Sequence, residues 1–502
     1  MKKSMKNKIA GVLIVSLLVM ALALFMAILI KTQLLPTKIL LLAGGIFLLY
    51  ALCVFFLTRN SRRIGAMVCG CMMTMILLIV LMLGTPYLMR TIETLDSITK
   101  VDVEIADVGV YVKKDSTVTK LEDLSNGTVG VMAVLDRENT DQALAELQET
   151  TGNVTVQEYD GLAELIDSVL EEDVDAIVAN SAYLDLLSEM EGYEDAADQL
   201  REIHAVQAES TIENVEDASK NEEEWNFLDI FNGEEESQEE AATGDNNVFT
   251  VYISGIDSHG SLKAKGRSDV NIIATINVDT RQVLLISTPR DFYVPLSISN
   301  GVPDKLTHAG IYGIDVSIGT LEMLYDTEID YYFRVNFSGF EKIIDALGGV
   351  TVHSDYSFKA GGYSFSKGSN TMNGAKALAF ARERKSFASG DRQRGKNQMA
   401  VIKAVIEKAM SPKLLKNYAD IMASVSGSFE TSMSYDKIAE LVRTQLDQGG
   451  SWKVVSYSVT GSDASKKPYS LSTKAYVMIP NQETVDTAIA KINQVKNGEI
   501  LE

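Results

Sequence analysis

The sequence predicts an α/β protein in which an N-terminal membrane anchor is followed by two α/β domains. Three apolar runs open the chain, and strand-like and helix-like segments alternate from residue 96 onward. A polar, strongly acidic stretch separates two such regions. We expect an anchor of three transmembrane helices at 1–95, a small accessory domain at 96–209, an acidic linker at 210–246 and a larger C-terminal domain at 247–502.

Charge and composition exclude several classes of function. The chain has 502 residues, a formal net charge of −22 and four histidines that are not clustered. Nucleic acid is not expected as a partner, because a phosphate backbone requires a basic protein face. The three cysteines, Cys53, Cys69 and Cys71, all lie in the apolar N-terminal runs. We therefore expect no disulfide, Cys-ligated metal, zinc site or Ser-His-Asp triad in the remaining chain.

The apolar runs at Ile9–Ile30, Ile39–Leu57 and Ile64–Met89 are each long enough to cross a hydrocarbon core of about 30 Å. They contain no charged residue, which favours an anchor over a channel or a proton relay. Basic residues precede the first run and separate the second from the third. By the positive-inside rule, we expect a multi-pass membrane protein with a cytoplasmic N-terminus and everything after Arg90 outside the cell.

The accessory region has strand-like and helix-like segments in alternation: Asp107–Val112, Thr140–Thr150, Val154–Tyr159, Gly161–Leu170, Asp175–Ala179 and Ala182–Met190. The pattern LEDLSNGTVGV … EYDGLAELIDSVLEEDVDAIVANSAYLDLL resembles one lobe of an extracellular solute-binding protein. A ligand cleft of that kind needs a second lobe, for which the sequence shows no candidate. We therefore expect a non-catalytic domain, followed by a linker whose acidic, polar composition is typical of a solvated spacer.

A hairpin is predicted near the start of the C-terminal domain. Its strands are expected at Val248–Ile253, Val270–Val278 and Gln282–Ser287. The turn between the second and third strands is expected at Asp279–Arg281. A turn centred on Thr280 would place Asp269 opposite Asp291, and Val270 opposite Arg290. The expected contacts depend on this register, since a shift by one residue changes which side chains share a face.

Three charged side chains, Asp257, Asp269 and Arg290, are expected to meet at one end of this sheet. Carboxylate oxygens suit a divalent cation such as Mg²⁺, and a guanidinium group binds phosphate with two parallel hydrogen bonds. The alternative is that aspartates at strand ends are ordinary turn residues. The convergence of all three favours a site for a cation and a phosphate.

A second informative stretch is LAFARERKSFASGDRQRGKNQ at 378–398. The alternation over 378–384 predicts a strand, or the end of one, with Arg382 and Arg384 on one face. Asp391 is placed as the N-cap of a helix that runs to Met410. We interpret the concentration of arginines in an otherwise acidic protein as an anion site, with a solvated basic loop as the alternative.

One face of the predicted helix carries a row of side chains that should point inward. Ile402 and Ile406 are four residues apart, and the same spacing extends backward to Gln398 and Arg394. A polar continuation of an apolar stripe is typical of a helix whose first turn faces a cleft. Together, the aspartates and arginines suit transfer of a phosphoryl-linked group, in which a metal and cations stabilise charge and no covalent nucleophile is needed.

Four motifs resemble those of the LytR-CpsA-Psr (LCP) family of bacterial envelope proteins. They are GIDS…GRSDVNIIATINVDTRQVLLISTPRDFYV, KLTHAGIYG, IDYYFRVNFSGFEKIIDALGGV and FARERKSFASGDRQRGKNQ, which together cover roughly 247–410. Three apolar runs and an additional α/β domain are similar to the capsular-polysaccharide (CpsA-like) branch of the family rather than to its single-span branch.

The resemblance implies an α/β/α LCP-type catalytic domain with a mixed sheet and an apolar groove for a polyprenyl chain. It also implies an Mg-dependent phosphotransferase that moves a glycan from polyprenyl pyrophosphate to peptidoglycan and releases polyprenyl phosphate. The glycan would be a capsular polysaccharide or a teichoic-acid-like polymer. Membrane lipid and the capsule-synthesis machinery are further partners implied by the family.

The residue roles implied by the resemblance fall into three groups. Asp257 and Asp269 would hold Mg²⁺, with Mn²⁺ as an alternative metal. Asp391 would assist the acceptor hydroxyl by accepting its proton, with Arg290 and Arg382 as further catalytic groups. The pyrophosphate would be bound by Arg267, Arg290, Lys305, Arg382, Arg384, Arg394 and Gln398, and Asp291 would orient Arg290.

Two points stay open from the sequence. Apolar residues could line the lipid groove, although at their spacing they are more often ordinary core: Phe333, Phe337, Phe340, Ile343 and Leu347. The function has two alternatives, a lipid-pyrophosphate hydrolase and a non-enzymatic envelope sensor that binds the lipid-linked precursor. The presence of Asp257, Asp269 and Asp391 favours an enzyme, because anion binding alone needs arginines but no metal pair.

Overall fold

The computed structural model describes residues 2–31, 35–59, 64–99, 103–212, 247–256, 262–411, 418–425 and 427–502. Its first three helices are α1 (Lys2–Lys31), α2 (Thr37–Arg59) and α3 (Ile64–Thr99). Each contains a stretch long and apolar enough to cross a membrane, at Gly11–Lys31, Thr37–Arg59 and Gly65–Pro86. A helix suits this environment because it satisfies its backbone hydrogen bonds internally. The three helices therefore have the character of a membrane anchor.

The accessory region is built on a five-stranded sheet with the strand order β3-β2-β4-β1-β5. The strands are β1 (Val103–Lys113), β2 (Thr128–Met132), β3 (Thr155–Tyr159), β4 (Ala176–Asn180) and β5 (Leu200–Thr211). Its helices are α4 (Arg137–Thr151), α5 (Leu162–Leu170) and α6 (Ser181–Leu184). Strand β2 is parallel to β3 and β4, whereas β1 is antiparallel to β4 and β5.

Two accessory elements differ from the sequence prediction. Strand β5 was not predicted, because as an edge strand it is only partly buried and its sequence LREIHAVQAEST has no clear apolar alternation. It runs to Thr211, so the first residues assigned to the linker belong to the sheet, and residues 213–246 lie outside the described part of the chain. The helix predicted over 182–190 is the short α6 followed by a 3₁₀ turn, Asp185–Glu189.

The C-terminal domain contains a six-stranded mixed sheet with the order β16-β11-β6-β7-β8-β17. The strands of this domain are β6 (Val248–Ile256), β7 (Ser268–Asn277), β8 (Gln282–Thr288), β9 (Tyr293–Pro295), β10 (Pro303–Lys305), β11 (Tyr331–Val335), β12 (Val350–Ser354), β13 (Phe358–Ala360), β14 (Tyr363–Phe365), β15 (Gly368–Met372), β16 (Phe429–Thr431), β17 (Lys453–Ser458), β18 (Gly461–Lys466) and β19 (Ala475–Pro480). Its helices are α7 (Ala309–Tyr312), α8 (Ile314–Tyr325), α9 (Phe337–Ala346), α10 (Gly374–Arg382), α11 (Asp391–Ala409), α12 (Tyr418–Val425), α13 (Tyr435–Gln448) and α14 (Gln482–Lys496).

Helices cover both faces of the six-stranded sheet. Ile273 of β7 packs with Leu321 of α8 on one face. Its neighbour Ile272 packs with Met399 of α11 on the other. The two isoleucines separate in this way because successive side chains of a strand point to opposite faces. The resulting α/β/α arrangement with a mixed sheet confirms the fold class predicted from the sequence.

The hairpin of β7 and β8 is shifted by one residue from the predicted register. Asn271 pairs with Thr288, so the ladder, continued by two residues, places Asp269 opposite Arg290. The shift arises in the turn, where the Arg281 N–H donates to the Val278 carbonyl at 3.3 Å and Arg281 takes a left-handed φ of 50°. The prediction of Asp291 opposite Asp269 was wrong, and the true register puts Asp269 and Arg290 on one face.

The accessory domain packs directly on the C-terminal domain through a buried charge cluster. Arg334 of β11 is 3% exposed, and its Nη1 lies 3.1 Å from Glu430 Oε1 while its Nη2 contacts the Glu104 carboxylate of β1. Glu104 also accepts the Ile314 N–H, with oxygens at 3.0 and 3.2 Å. Gly313 has a φ of 134°, and a Cβ there would lie 2.6 Å from Glu104 Oε2, so this junction requires glycine.

Candidate active site

A cavity of about 740 Å³ lies against the β6–β7 face of the large sheet, beneath α9 and α11. Most of its lining is apolar, including Phe249, Val251, Ile253, Ala274, Ile276, Phe337, Phe340, Ile343, Ile402, Val405 and Ile406. Of the residues considered for a lipid groove, Phe333, Phe337, Phe340 and Ile343 line this cavity. Leu347 is buried outside this lining. The cavity can therefore hold an extended apolar molecule.

The charged lining residues gather at one end of the cavity, which we call the mouth. They are Arg267, Asp269, Arg290, Arg382, Arg384 and Arg394, together with Gln398. They converge because β7 starts where β6 and β8 end, and the N-terminus of α11 lies beside the same edge. On α11, Arg394 and Gln398 face the mouth, whereas Ile402 and Ile406 face the apolar part, as the four-residue spacing predicts.

Arg290 is held at the mouth by two carboxylates. Its Nη1 lies 2.5 Å from Asp269 Oδ1, and its Nε lies 3.6 Å from Asp291 Oδ2. Burial lowers the pKa of Arg290, but the charges of Asp269 and Asp291 outweigh burial and raise that pKa above its ordinary value. Arg290 is therefore a fixed cation, and the position of Asp291 fits its predicted orienting role.

Arg382 and Arg384 line the mouth, but the strand predicted for them was wrong. Residues 374–382 form α10, which begins where the Asn373 side chain accepts the Lys376 N–H at 3.1 Å. Five alternating residues, LAFAR, fit a helical turn as well as a strand, so the period was ambiguous. The Arg382 guanidinium carbon lies 4.0 Å from the centre of the Phe337 ring, which orients this cation at the boundary between the polar and apolar parts.

The side chains of two predicted site residues, Asp257 and Asp391, lie outside the described part of the structure. Asp257 lies outside the described residues. The backbone makes Asp391 the first residue of α11. The N-cap is Gly390, which has a φ of 49°, so the prediction of Asp391 as the N-cap was wrong. The side chain of Asp391 is outside the described part of the structure, so its role as proton acceptor stays a prediction.

A second chamber of about 560 Å³ adjoins the mouth. Arg290 and Arg384 line both spaces, and the other residues of the chamber are Glu189, Asp291, Lys305, Lys385, Phe387, Gly390 and Tyr476. Lys305 is 3% exposed, and its Nζ lies 3.6 Å from Asp291 Oδ1 and contacts the Glu189 carboxylate. The accessory domain thus places a carboxylate in this chamber.

Neither Glu189 nor its neighbour His308 was predicted as part of the site. Glu189 lies more than a hundred residues before Lys305, at the end of a segment with an ordinary helical pattern. His308 is fully buried, and its Nδ1 lies 2.8 Å from both Asp304 Oδ1 and Ser470 Oγ. No local spacing in the sequence indicates these contacts, although Lys305 and His308 both lie in KLTHAGIYG, one of the motifs on which the family resemblance rests.

Of the two predicted metal ligands, the structure describes Asp269. Asp269 lines the mouth and offers hard oxygen ligands of the kind that Mg²⁺ and Mn²⁺ take. Within the described residues there is no group of three or more His, Cys, Asp and Glu side chains that could hold a metal. Because the second predicted ligand, Asp257, lies outside those residues, the metal stays a prediction that Asp269 fits.

Comparison with known proteins identifies the family of the chain. Residues 202–491, more than half of the chain, match the model of the LytR_cpsA_psr family. The chain belongs to this family. A model described as DNA polymerase processivity factor matches residues 70–179, and this shorter match carries no function to the chain.

Among family members, the chain is similar to the polyisoprenyl-teichoic acid–peptidoglycan teichoic acid transferase TagU of Bacillus licheniformis, with 31% identity over 236 residues, 47% of this chain and 72% of that protein. Its identity to the protein of the same name from Bacillus subtilis is 34% over 215 residues, 43% of this chain and 68% of the relative. The crystal structure of B. subtilis TagV aligns with a TM-score of 0.43 at 27% identity, covering 51% of this chain and 98% of TagV.

Proposed function

We propose that the protein is a membrane-anchored LCP transferase that moves a glycan from polyprenyl pyrophosphate to peptidoglycan and releases polyprenyl phosphate. The observation that carries the proposal is the cavity of about 740 Å³, which is apolar along its length and ringed by arginines at its mouth. The names of the Bacillus relatives, which are teichoic acid transferases, support a glycopolymer as the transferred group. A capsular polysaccharide, as in the CpsA-like branch, fits the same site.

The apolar part of the cavity suits a polyprenyl chain. Burying apolar surface contributes about 25 cal/mol per Å² removed from water, and an isoprenoid has no polar group that this lining would leave unpaired. The lining of Phe337, Ile402 and Ile406 continues directly from the arginines at the mouth. A lipid held there would place its pyrophosphate among the cations.

The mouth suits the pyrophosphate. Guanidinium groups bind phosphate oxygens with paired hydrogen bonds, and the site offers several of them from separate elements. The N-terminus of α11 adds the partial positive charge of its backbone N–H groups on the same side, where Arg394 lies in the first turn. A bound Mg²⁺, held by Asp269 and Asp257, would neutralise phosphate oxygens.

The reaction follows from this placement. A hydroxyl oxygen of peptidoglycan attacks the glycan-bearing phosphorus, the bond from that phosphorus to the bridging oxygen breaks, and polyprenyl phosphate leaves. The proton of the hydroxyl passes to the carboxylate of Asp391. Arg290 and Arg382 stabilise the negative charge that develops on the phosphate oxygens, an electrostatic role that needs no covalent intermediate.

We further propose that the N-terminus is cytoplasmic, that three helices cross the membrane, and that the site faces the outside. Basic residues at positions 2–8, before the first apolar run, and at positions 59–63, between the second and third runs, support this orientation. Protease added to intact protoplasts should remove both α/β domains and leave an N-terminal tag protected. Protection of the C-terminal domain would contradict the orientation.

The test of the proposed reaction combines the full chain in detergent micelles, Mg²⁺, an undecaprenyl-pyrophosphate disaccharide and peptidoglycan. Disaccharide covalently attached to the wall through phosphate is the expected product. Free phosphorylated disaccharide would identify a hydrolase, and binding without turnover would identify a sensor. Asp269→Asn is the inactive control: it removes the charge that would bind Mg²⁺, while its side-chain oxygen can still accept a hydrogen bond from Arg290, so little loss of fold is expected.

A further inference from the structure

Glu189 of the accessory domain lies between two cations of the site. Its Oε1 lies 3.0 Å from Arg267 Nη1, and its Oε2 contacts the Nζ of Lys305. Each carboxylate oxygen therefore binds a different cation. Arg267 lines the apolar cavity and Lys305 lines the second chamber, so Glu189 connects the cations on two sides of the mouth.

The position of Glu189 is fixed by a core that both domains share. Leu186, Leu187 and Met190, its neighbours in sequence, are fully buried. They pack in one apolar cluster with Ile311 of the C-terminal domain. Because the chain is buried on both sides of Glu189, its carboxylate occupies a defined place and does not move with a surface loop.

The surroundings of Glu189 keep its carboxylate charged. His308 Nε2 lies 3.7 Å from Glu189 Oε2, on the side away from Arg267. Burial raises the pKa of Glu189, but the hydrogen bond and charge of His308 and the charge of Lys305 outweigh it and hold that pKa well below its usual range. At neutral pH, Glu189 is therefore an anion that faces three basic groups.

We propose that Glu189 is a positioning residue of the active site and that the accessory domain thereby forms part of that site. The Glu189 carboxylate holds the long side chains of Arg267 and Lys305 at a set spacing before the substrate binds. Preorganisation of this kind lowers the conformational cost of binding the pyrophosphate. The inference rests on the proposed function, because the pyrophosphate is its ligand.

An inhibitory role would have the opposite effect. If Glu189 competed with the phosphate for Arg267 and Lys305, its removal would tighten binding. The structure favours positioning, because Glu189 is fixed by a buried core and each of its carboxylate oxygens contacts a different cation. The sign of the effect of one substitution separates the two roles.

The experiment compares the full-length wild type with Glu189→Gln, Glu189→Asp and the matched control Glu191→Gln, all in detergent micelles with Mg²⁺. Glu191 is a suitable control because it is exposed and lies two residues away. The Kd for geranylgeranyl pyrophosphate is measured by calorimetry. The kcat and KM are measured with the undecaprenyl-pyrophosphate disaccharide.

For Glu189→Gln, we expect the Kd and the KM to rise about tenfold, with kcat changed less than about threefold, because the lost preorganisation weakens binding more than it alters the chemical step. Glu189→Asp should lie between this variant and the wild type, because a shorter carboxylate reaches one cation but not both. Glu191→Gln should match the wild type in both assays.

A double-mutant cycle with Arg267→Ala distinguishes positioning from a merely structural role. If Glu189 acts through Arg267, the effect of Glu189→Gln on the Kd should shrink in the Arg267→Ala background. If the wild type binds geranylgeranyl pyrophosphate, the proposed ligand is upheld. The inference would then be overturned if the effects of the two substitutions on the Kd were additive, or if Glu189→Gln left the Kd unchanged or lowered it. A wild type that binds no geranylgeranyl pyrophosphate would overturn the proposed function and the inference with it.

Discussion

Arg290 lies between two carboxylates at the mouth of the cavity. Asp269 and Asp291 hold its guanidinium from two directions, at 2.5 and 3.6 Å, while it lines both the apolar cavity and the second chamber. A planar group fixed in this way can direct two donors at one phosphate. A lysine ammonium at this position would keep the charge but not this geometry.

Arg290→Lys should therefore lower kcat/KM by about ten- to a hundredfold, equivalent to about 1.4–2.7 kcal/mol of transition-state stabilisation. Turnover of the undecaprenyl-pyrophosphate disaccharide measures this effect. The matched control is Arg281→Lys, at the opposite end of β8 and away from the mouth, which should retain wild-type kinetics. Equal rates for Arg290→Lys and the wild type would refute a bidentate role.

Glu430 gives the buried interface a pH dependence. Burial raises the pKa of Glu430 to about 7, although Arg334 opposes the shift. A carboxyl group whose pKa is higher in the folded than in the unfolded state stabilises the fold below its unfolded pKa. That contribution is lost as the pH rises through the folded pKa.

We expect the free energy of unfolding of the full chain to fall between about pH 5 and pH 8, in part through Glu430. Glu430→Gln mimics the neutral form and should flatten this part of the profile. The pKa of His308 is lowered by burial but raised overall by Asp304 and Glu189. The titration of His308 therefore also lowers the free energy of unfolding as the pH rises, and this contribution remains in Glu430→Gln. Denaturant unfolding in detergent at several pH values makes the comparison, and a profile as steep as that of the wild type would contradict it.

At the scale of elements, helix α11 joins the two halves of the cavity. Arg394 faces the mouth and Ala409 lies at the far end of the lining, and fifteen residues at about 1.5 Å each separate them by about 22 Å. The sequence predicted the inward line of α11 because helical spacing is local. It misassigned α10 and the hairpin register because five alternating residues and a turn with a left-handed arginine each allow two solutions.

Ala409→Trp should shorten the cavity from its far end. We expect the KM for an undecaprenyl substrate to rise at least about tenfold, because the distal part of the chain loses its apolar contacts. The Kd for the shorter geranyl pyrophosphate should stay near the wild-type value. Glu407→Trp places the same side chain on the exposed face of α11 as a control. Equal effects on long and short lipids would mean that the polyprenyl chain does not occupy this cavity.

At the scale of the whole molecule, two sets of ion pairs connect the accessory and C-terminal domains. One set is buried around Arg334, and the other joins Glu189 to Arg267 and Lys305 at the site. Glu104 is 230 residues from Arg334 in the sequence, and Glu189 is 78 residues from Arg267. Contacts of such long range leave no local pattern, so the sequence predicted two domains but not the ion pairs between them.

Glu104→Ala should destabilise the whole chain, because Arg334 would keep a buried charge with one carboxylate partner fewer. Removing one member of a buried ion pair typically costs about 3–5 kcal/mol. Denaturant unfolding of the full chain measures the change, and the exposed Glu149→Ala in α4 is the control. The triple variant Glu104→Leu, Arg334→Met and Glu430→Leu should recover much of the loss, and an equally unstable triple variant would show that the charges are not its source.

The Arg334 cluster also restricts how this protein can diverge. A family member that lost the accessory domain would lose Glu104 and expose the Arg334 position to a new environment, with Glu430 still beside it, so positions 334 and 430 would be free to change together. Where the accessory domain is present, substitutions at 104 and 334 should occur as pairs that preserve opposite charge or remove both charges. The two domains are therefore expected to be inherited as one unit, and chimeras that combine them from distant relatives should need the interface residues exchanged as a set.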